Sequence, residues 1–326
     1  MGKILVFGGA GFVGSHLVSK LVECVDDPYN NIIVIDNLST GLELNVPSQI
    51  RKNGNLIRAD VTDHVWLQWL TSYVLKYEIE TVYYLIAKAR VQPSIKFPIE
   101  YNDVNVSGLL NILNVFKDID TRFVYSSSSS VYGSTSDEYD ILDERMLCRP
   151  MSPYGLQKYI GEQYCKLFSS LYKIDTVCLR YFNVYGHNNV LYAGGSDISY
   201  MNVINSFYLN LLNNQPLIIY NDGNQTRDFT YVDDIVTANL LVASYTKPFD
   251  GDVFNVCASN PVSINDIAKY FSSDIEYIPG RFENKHNRGC NDKIKELGWD
   301  TTMIVTDWIQ HKLLSNLNDS VYFKEI

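Results

Sequence analysis

The sequence predicts an α/β fold, a doubly wound parallel sheet with a smaller C-terminal α/β lobe. Two observations predict it. Short apolar runs of strand length alternate with longer stretches of helical periodicity, which is the pattern of parallel strands joined by crossover helices. The first run ends in a cluster of glycines that opens a helical stretch, a turn typical of doubly wound sheets. We expect a sheet domain at residues 1–180 and a second lobe at 181–326, with some of its segments returning to the main sheet.

The first strand and the turn after it form the clearest local pattern. Residues 4–7 are apolar throughout, as in a strand buried on both faces. Residues 8–14 then read GGAGFVG, and apolar residues at helical spacing follow. Glycines permit a sharp turn and a close approach of the backbone to a pyrophosphate, and the helix N-terminus offers N–H groups to the anion. The turn predicts a dinucleotide site, and a glycine-rich turn without a ligand is the alternative.

A second apolar run, at residues 31–35, closes on Asp36, which lies 22 residues after Gly14. A carboxylate at this point can accept hydrogen bonds from both hydroxyls of an adenosine ribose. It would also repel a 2′-phosphate. The pattern therefore predicts NAD rather than NADP.

Further strands are predicted at residues 56–60, 81–87 and 122–125, with helices at 65–77 and 101–116 between them. Ligands of such sheets bind at the carboxyl ends of the strands, so Asp60, Ile86 and Ala87 should face the same crevice as the glycines. Asp60 fits an adenine contact or, equally, a helix N-cap ahead of Thr62.

The serine run at residues 126–130 allows two interpretations. A low-complexity serine stretch is usually a flexible linker. This one follows a predicted buried strand, and at the carboxyl end of that strand it would place a hydroxyl near Tyr154.

A helix entrance at residues 152–158 carries the candidate acid–base pair. Ser152 is a good N-cap, and Pro153 suits a first turn that has no use for its N–H. Tyr154 and Lys158 then stand one turn apart on one face. A fixed ammonium favours the phenolate, so the pKa of the tyrosine would fall from about 10 toward neutrality. Because the chain holds 24 tyrosines, chance is the alternative explanation of the spacing.

Composition excludes several classes of protein. The net charge is -10 over 326 residues, with Lys and Arg scattered, so we expect no nucleic acid partner. The six cysteines lie far apart without a C-x-x-C pair, so we expect no metal site and no disulfide framework, but reduced, mostly buried thiols of a cytoplasmic protein. We find no signal-peptide pattern, and no apolar run approaches the ~20 residues that span a bilayer. A membrane partner is therefore not expected.

The motifs together identify a family. The chain resembles, over nearly its whole length, the extended short-chain dehydrogenases/reductases of the nucleotide-sugar epimerase/dehydratase family, whose main domain is a Rossmann fold. Among them it is most similar to the UDP-glucose and UDP-N-acetylglucosamine 4-epimerases. The motifs follow the family's order: GGAGFVG at 8–14, DNLSTG at 36–41, NDVNVSG at 102–108, the serine run, Tyr154-x-x-x-Lys158, RYFNVYG at 180–186 and QTRDF at 225–229.

The resemblance implies roles for individual residues. Tyr154 is the acid/base, Lys158 holds the nicotinamide ribose and lowers the pKa of the tyrosine, and Ser128 hydrogen-bonds the sugar 4-hydroxyl. Asn105 supports the catalytic pair through cofactor or water. The cofactor-binding residues are expected to be Gly8, Gly11, Phe12, Val13, Gly14, Asp36, Asn37, Asp60, Val61, Ile86, Ala87, Asn105, Tyr154 and Lys158. The substrate-binding residues are expected to be Ser128, Ser129, Tyr154, Asn183, Arg227 and Arg288.

Within the second lobe the resemblance points to the diphosphate of the substrate. Asn183 and Arg227 match positions that contact it, as suits an amide donor and a bidentate cation. Arg281 and Arg288 lie where relatives carry a further such arginine. A solvated surface arginine is the alternative for either.

The activity that the resemblance implies is 4-epimerisation of a nucleotide-diphosphate sugar through a transient 4-keto intermediate. A 4,6-dehydratase and a UDP-glucuronate decarboxylase are alternatives in the family. Dehydratases of the family carry an acid and a base directly after the serine or threonine, where this chain has Ser129 and Ser130. A serine hydroxyl is too weakly acidic and basic for elimination unaided. A non-catalytic NAD-binding sensor is a further alternative, but it would not need Ser128, Tyr154 and Lys158 together.

Three residues depart from the family. Lys88 replaces a common glutamine, Ala89 stands where the UDP-galactose epimerases have lysine, and Arg90 stands where many relatives have serine. The contacts beside the sugar therefore differ, and the sugar and the nucleotide base stay open.

The helix after Tyr154 also predicts a homodimer. Its apolar residues cover more than one stripe, so one face remains after the core is packed. These residues are Leu156, Tyr159, Ile160, Tyr164, Leu167, Phe168, Leu171 and Tyr172. Relatives pair this helix with the one at 101–116 in an intermolecular four-helix bundle. Burial within its own chain is the alternative.

Overall fold

The structure is a computed structural model, and it describes residues 2–134, 141–187, 202–271, 274–280 and 285–316. The strands are β1 (Lys3–Phe7), β2 (Ile32–Asp36), β3 (Leu56–Arg58), β4 (Ile79–Tyr84), β5 (Arg122–Ser128), β6 (Asp175–Tyr181), β7 (Val184–Tyr185), β8 (Leu217–Tyr220), β9 (Thr226–Asp228), β10 (Thr230–Tyr231), β11 (Asp252–Val256), β12 (Pro261–Ser263) and β13 (Ile275–Ile278).

The α-helices alternate with the strands through the first part of the chain. They are α1 (Phe12–Cys24), α2 (Pro28–Asn31), α3 (Ser48–Lys52), α4 (His64–Lys76), α5 (Val91–Lys96), α6 (Pro98–Asn102), α7 (Leu109–Phe116), α8 (Pro153–Leu171), α9 (Val203–Leu212), α10 (Val232–Ser244), α11 (Ile264–Ala268), α12 (Asp292–Lys295) and α13 (Val305–Asn316). A π-helical turn, Asp103–Gly108, joins α6 to α7. Among the described helices, none has the length and apolar character needed to cross a membrane.

Seven strands form one parallel sheet in the order β11-β6-β5-β4-β1-β2-β3. This confirms the predicted doubly wound sheet. Side chains of a strand point alternately to the two faces, and β1 shows it: Val6 packs in one core cluster with Leu17 of α1, whereas Phe7 packs in the other with Ile112 of α7. Helices α1 and α10 cover the first face and α4, α7 and α8 the second. The candidate site described below lies at the carboxyl ends of the strands.

The smaller C-terminal part has its own apolar cluster, which contains residues of β8, α9, α11 and α13. Strand β8 pairs with β13 in a separate two-stranded sheet. Strand β11 instead pairs with β6 as the edge of the main sheet.

Several predicted elements need correction at their ends. The strands predicted at 56–60 and 81–87 end at Arg58 and Tyr84. The helix predicted at 101–116 begins at Pro98, which suits a first turn, and is interrupted by the π-helical turn. The linker interpretation of the serine run is wrong for its first three residues, because β5 continues to Ser128 and pairs with β6 there. The N-cap of α4 is Asp63 and not Asp60.

Candidate active site

The glycine turn is built by close backbone contacts. Gly8 has φ +80, a conformation that favours glycine. At Gly14, a Cβ atom would lie 2.1 Å from the Gly8 carbonyl oxygen, so no other residue fits between α1 and the turn. Gly11 is the N-cap of α1, and no side chain caps the helix. The helix N-terminus is therefore presented to a ligand by backbone alone.

Asp36 ties the end of β2 to this turn. Its carboxylate is buried and accepts hydrogen bonds from the backbone N–H groups of Ala10, at 3.0 Å, and Leu38, at 2.9 Å. Burial raises the pKa of Asp36, and the two backbone bonds oppose that shift. The carboxylate thus lies beside the glycine turn at the carboxyl end of β2.

The ends of β3 and β4 complete this half of the crevice. The Asn37 side chain donates a hydrogen bond to Asp60 over 2.8 Å, and Asp60 also accepts one from Thr62. Burial by itself would raise the pKa of Asp60, but these hydrogen bonds outweigh it and the pKa is lowered. The Ile86 backbone comes against Gly8, where a Cβ atom would lie 3.0 Å from the Ile86 nitrogen. Val61 is buried and packs against Gly108 of the π-helical turn.

These features fit a bound NAD. The uncapped end of α1 and the glycine turn suit its pyrophosphate, and Asp36 suits the adenosine ribose. The cofactor-binding residues predicted in this half of the chain lie at or next to the carboxyl ends of β1 to β4. They are Gly8, Gly11, Phe12, Val13, Gly14, Asp36, Asn37, Asp60, Val61, Ile86 and Ala87.

Tyr154 meets the end of β5 at the start of α8. Ser152 caps the helix by accepting from the Gly155 N–H, as predicted, and Pro153 occupies its first turn. The Ser128 hydroxyl lies near the Tyr154 phenol and interacts with it. The pKa of Tyr154 is raised in this structure, contrary to the predicted fall, because the effect of burial outweighs the lowering effects of the Ser128 hydroxyl and of the positive charge of Arg90. Ser129 and Ser130 follow in a 3-10 turn, and Ser128 also bonds to the Ser130 hydroxyl over 3.2 Å.

Lys158 lies one turn further along α8, fully enclosed. Its ammonium donates to the Ser126 carbonyl oxygen and lies over the Tyr125 ring, 4.9 Å from the centroid. Burial lowers the pKa of Lys158 to about 7. Ser128, Tyr154 and Lys158 are therefore gathered where β5 meets α8.

The hydrogen bonds of the Asn105 side chain within the described residues go to neither Tyr154 nor Lys158. From the π-helical turn its side chain accepts from the Lys88 N–H at 2.8 Å and donates to the Lys88 carbonyl at 3.1 Å. It also donates to the Gln157 side chain at 2.9 Å. Asn105 thus clamps the loop after β4 to α8. A π-helical turn often marks a functional site, but no sequence signal shows these partners.

A buried ion pair lies beneath the site. Arg180 of β6 bonds to Glu162 of α8 through two nitrogens, at 2.8 and 2.7 Å. Ser127 of β5 donates to the same carboxylate. Sequence reasoning missed this network, although Glu162 stands one helical turn after Lys158 and Arg180 opens the RYFNVYG motif.

The predicted substrate residues of the second lobe converge on β9. The Asn183 side chain donates to the Asp228 carbonyl at 2.9 Å and to Asn287 at 3.3 Å. Arg227 lies on β9 beside Asp228, and Arg288 follows Asn287. The Arg288 Nε atom is buried and has no hydrogen-bond partner among the described residues, which suits an anion as its partner. Arg281 lies outside the described residues.

Comparison with known proteins gives consistent findings. The family model described as the NAD dependent epimerase/dehydratase family matches residues 4–257. A putative UDP-glucose 4-epimerase of Methanocaldococcus jannaschii is 35% identical over 305 residues, which cover 91% of this chain and 92% of that protein.

Two solved structures are similar throughout. The UDP-glucose 4-epimerase of Thermotoga maritima with UDP-glucose is 29% identical, with a TM-score of 0.84, and the match covers 97% of this chain and 99% of that one. The UDP-N-acetylglucosamine 4-epimerase of Methanobrevibacter ruminantium M1, in complex with UDP-N-acetylmuramic acid, is 29% identical with a TM-score of 0.82, covering 97% and 98%.

Proposed function

The chain belongs to the NAD-dependent epimerase/dehydratase family, and we propose that it is a UDP-sugar 4-epimerase. Its cofactor is NAD. The observation that carries the proposal is the position of Ser128 near the Tyr154 phenol at the end of β5, followed by serines at both of the next positions. This arrangement has a proton acceptor and a hydroxyl partner for one sugar hydroxyl, but no acid and base for a second reaction.

The residues of the site have different roles in the reaction of the sugar. Ser128 holds the 4-hydroxyl, and Tyr154 as phenolate accepts the proton of that hydroxyl and later returns it. When bound, NAD supplies hydride acceptance and return at carbon 4. Lys158, fixed one turn from Tyr154 by its bond to the Ser126 carbonyl, orients the cofactor ribose. The sugar changes configuration when its 4-keto form presents the opposite face to the site.

The diphosphate anchors the substrate while the 4-keto sugar rotates. Asn183, Arg227 and Arg288 would hold it, since the guanidinium groups give charge-assisted, bidentate bonds to phosphate oxygens. The Arg288 Nε atom, buried and without a hydrogen-bond partner in the described part of the chain, supports this role. Uridine as the base is supported by the names of the relatives, which act on or bind UDP-sugars.

Dehydration is the rival reaction of the family. It requires removal of the carbon 5 proton and protonation of the leaving hydroxyl, tasks suited to carboxylic acids. The Ser130 hydroxyl is engaged with Ser128, and a serine is a poor acid or base in any case. The serines at positions 129 and 130 also weigh against the decarboxylase alternative. The sensor alternative leaves the Tyr154, Ser128 and Lys158 arrangement without a purpose.

The direct assay is a panel of nucleotide sugars. UDP-glucose, UDP-N-acetylglucosamine, UDP-glucuronate and their dTDP and GDP counterparts are incubated with the protein, and the 4-epimers are separated chromatographically. We expect one or more UDP-sugars to reach an equilibrium of 4-epimers, and Tyr154→Phe to abolish the conversion. Conversion of none of them, with NAD bound, would contradict the proposal.

A further inference from the structure

Asp228 is a fully buried carboxylate in the second lobe, and it directly follows Arg227 at the end of β9. No Lys or Arg within the described ranges forms an ion pair with it. Removing a carboxylate from water is unfavourable unless hydrogen bonds to protein groups compensate. The hydrogen bonds that Asp228 makes therefore indicate what this residue does.

The segments that carry the three candidate diphosphate residues meet at Asp228. Its carboxylate accepts a hydrogen bond from the Gly289 N–H at 2.9 Å, and Gly289 directly follows Arg288. The carbonyl oxygen of Asp228 accepts from the side chain of Asn183 at 2.9 Å. Arg227 is its neighbour on β9. One residue thus joins the segments of Asn183, Arg227 and Arg288.

The segment that carries Arg288 is also fixed by other contacts. The Leu142 N–H donates to the Arg288 carbonyl at 2.8 Å, and the Ser259 hydroxyl donates to the Gly289 carbonyl at 2.8 Å. A Cβ atom on Gly289 would lie 2.4 Å from the Cys257 sulfur, so the segment packs closely on its surroundings. The Arg288 Nε atom, buried and without a hydrogen-bond partner in the described part of the chain, is therefore held in place for an anion.

We propose that Asp228 is a positioning residue for diphosphate binding, one that acts by fixing the backbone next to Arg288. The proposal deepens the proposed function and rests on it in one respect, that Asn183, Arg227 and Arg288 hold the diphosphate. A negative charge near an anion site by itself weakens anion binding. If Asp228 acted only through its charge, its removal would strengthen binding. A positioning role predicts the opposite sign, that removal weakens it.

The test measures binding of nucleoside diphosphates and needs no knowledge of the sugar. UDP, dTDP and GDP are titrated calorimetrically into the NAD-bound wild-type protein, and the one that binds most tightly is used for the variants. We expect Asp228→Ala to raise its Kd about tenfold or more, since a hydrogen bond to a charged group is lost. Asp228→Asn keeps an acceptor oxygen for the Gly289 N–H without the charge, so its Kd should lie between those of Asp228→Ala and wild type.

The matched control is Asp234→Asn. Asp234 of α10 is also a fully buried carboxylate, but it accepts its hydrogen bonds from Thr301 and Thr302. Its substitution should lower the melting temperature and leave the Kd of the nucleoside diphosphate unchanged, as a purely structural role predicts. With a sugar identified, Asp228→Ala should raise KM with little change in kcat, because the diphosphate is bound alike in the ground state and the transition state.

The outcomes separate this proposal from the proposed function. A Kd equal to or below the wild-type value in both Asp228 variants would overturn the proposal, even where epimerase activity is present. An equal rise in Kd for Asp234→Asn would also overturn it, because the effect would then be a general loss of stability. Failure of the wild-type protein to bind any of the three nucleotides would overturn it together with the diphosphate site. A raised Kd in the Asp228 variants alone, without conversion of any UDP-sugar, would support the role of Asp228 and contradict the proposed function.

Discussion

The ammonium of Lys158 donates a hydrogen bond to the carbonyl oxygen of Ser126 over 2.6 Å. The lysine of α8 is thereby fixed on the strand that carries Ser128 two residues later. Burial lowers the pKa of the same lysine to about 7. Lysine and serine are thus positioned by one strand, and the tyrosine by the helix that packs on it.

The pKa of Lys158 predicts a pH dependence of stability in the cofactor-free protein. Its ordinary value is 10.5, so between about pH 7 and pH 10 the unfolded chain binds the proton more tightly than the folded one. Stability from this group therefore rises with pH across that window. Lys158→Met removes the effect, and the free energy of unfolding of the variant relative to wild type should fall with pH by at most about 1.4 kcal/mol per unit.

Urea denaturation of both proteins at a series of pH values provides the measurement. Lys20→Met is the control, since Lys20 is exposed and paired with Glu23, and its difference from wild type should be constant between pH 7 and pH 9. A constant difference for Lys158→Met as well would show that the folded-state pKa of Lys158 is not lowered.

Asp36 predicts the choice of dinucleotide. Protein purified without added nucleotide should carry NAD(H) that heat releases. Asp36→Ala should lower this occupancy, since it removes the ribose acceptor and the bonds to Ala10 and Leu38. Asp36→Asn keeps an acceptor oxygen without the charge, so it should retain the turn and lose discrimination against NADP. Preferential release of NADP from the wild-type protein would refute this role of Asp36.

The ion pair of Glu162 and Arg180 predicts a large loss of stability when one partner is removed. The two side chains are 1% and 4% exposed, so Glu162→Gln leaves a buried guanidinium without its counter-charge. Comparable changes lower the free energy of unfolding by about 3–5 kcal/mol. Ser127→Ala, which removes a neutral donor to the same carboxylate and leaves the ion pair in place, is the control and should lower it by less, about 1.5–3 kcal/mol. Equal effects of the two substitutions in urea denaturation would disprove the account of the ion pair.

The sequence was sufficient for the parts of the fold that local patterns dictate. The GGAGFVG turn, the run closing on Asp36 and the Ser152-Pro153 helix entrance each have a physical reason within a few residues. The end of β5 was harder, because three serines are poor indicators of a buried strand, and only pairing with β6 accounts for them. Hydrogen bonds across the fold, such as those of Asn105 with Lys88 or of Arg180 with Glu162, join residues 17 and 18 positions apart. No periodicity reports such contacts.

A homodimer remains a prediction, and the structure adds a reason for it. Leu167 and Leu171 lie on one face of α8 and are 48% and 62% exposed. Packing within the chain therefore leaves this apolar face uncovered. We expect light scattering at micromolar concentration to give twice the mass of the chain, and Leu167→Glu to shift the protein to monomer. Leu44→Glu, at a 79% exposed site outside α8, should leave the dimer intact. A monomeric wild-type protein would exclude the four-helix bundle.

The central claim, that the chain epimerises and does not eliminate water, is tested most directly by the reaction in deuterated water. UDP-glucose and UDP-N-acetylglucosamine are incubated with the protein, and the products are analysed by mass spectrometry and NMR. An enzyme that returns the same hydride to carbon 4 gives a 4-epimer of unchanged mass, with no deuterium on carbon. Loss of water with deuterium at carbon 5 would contradict the account, and it would mean that residues other than Ser129 and Ser130 supply the acid and the base.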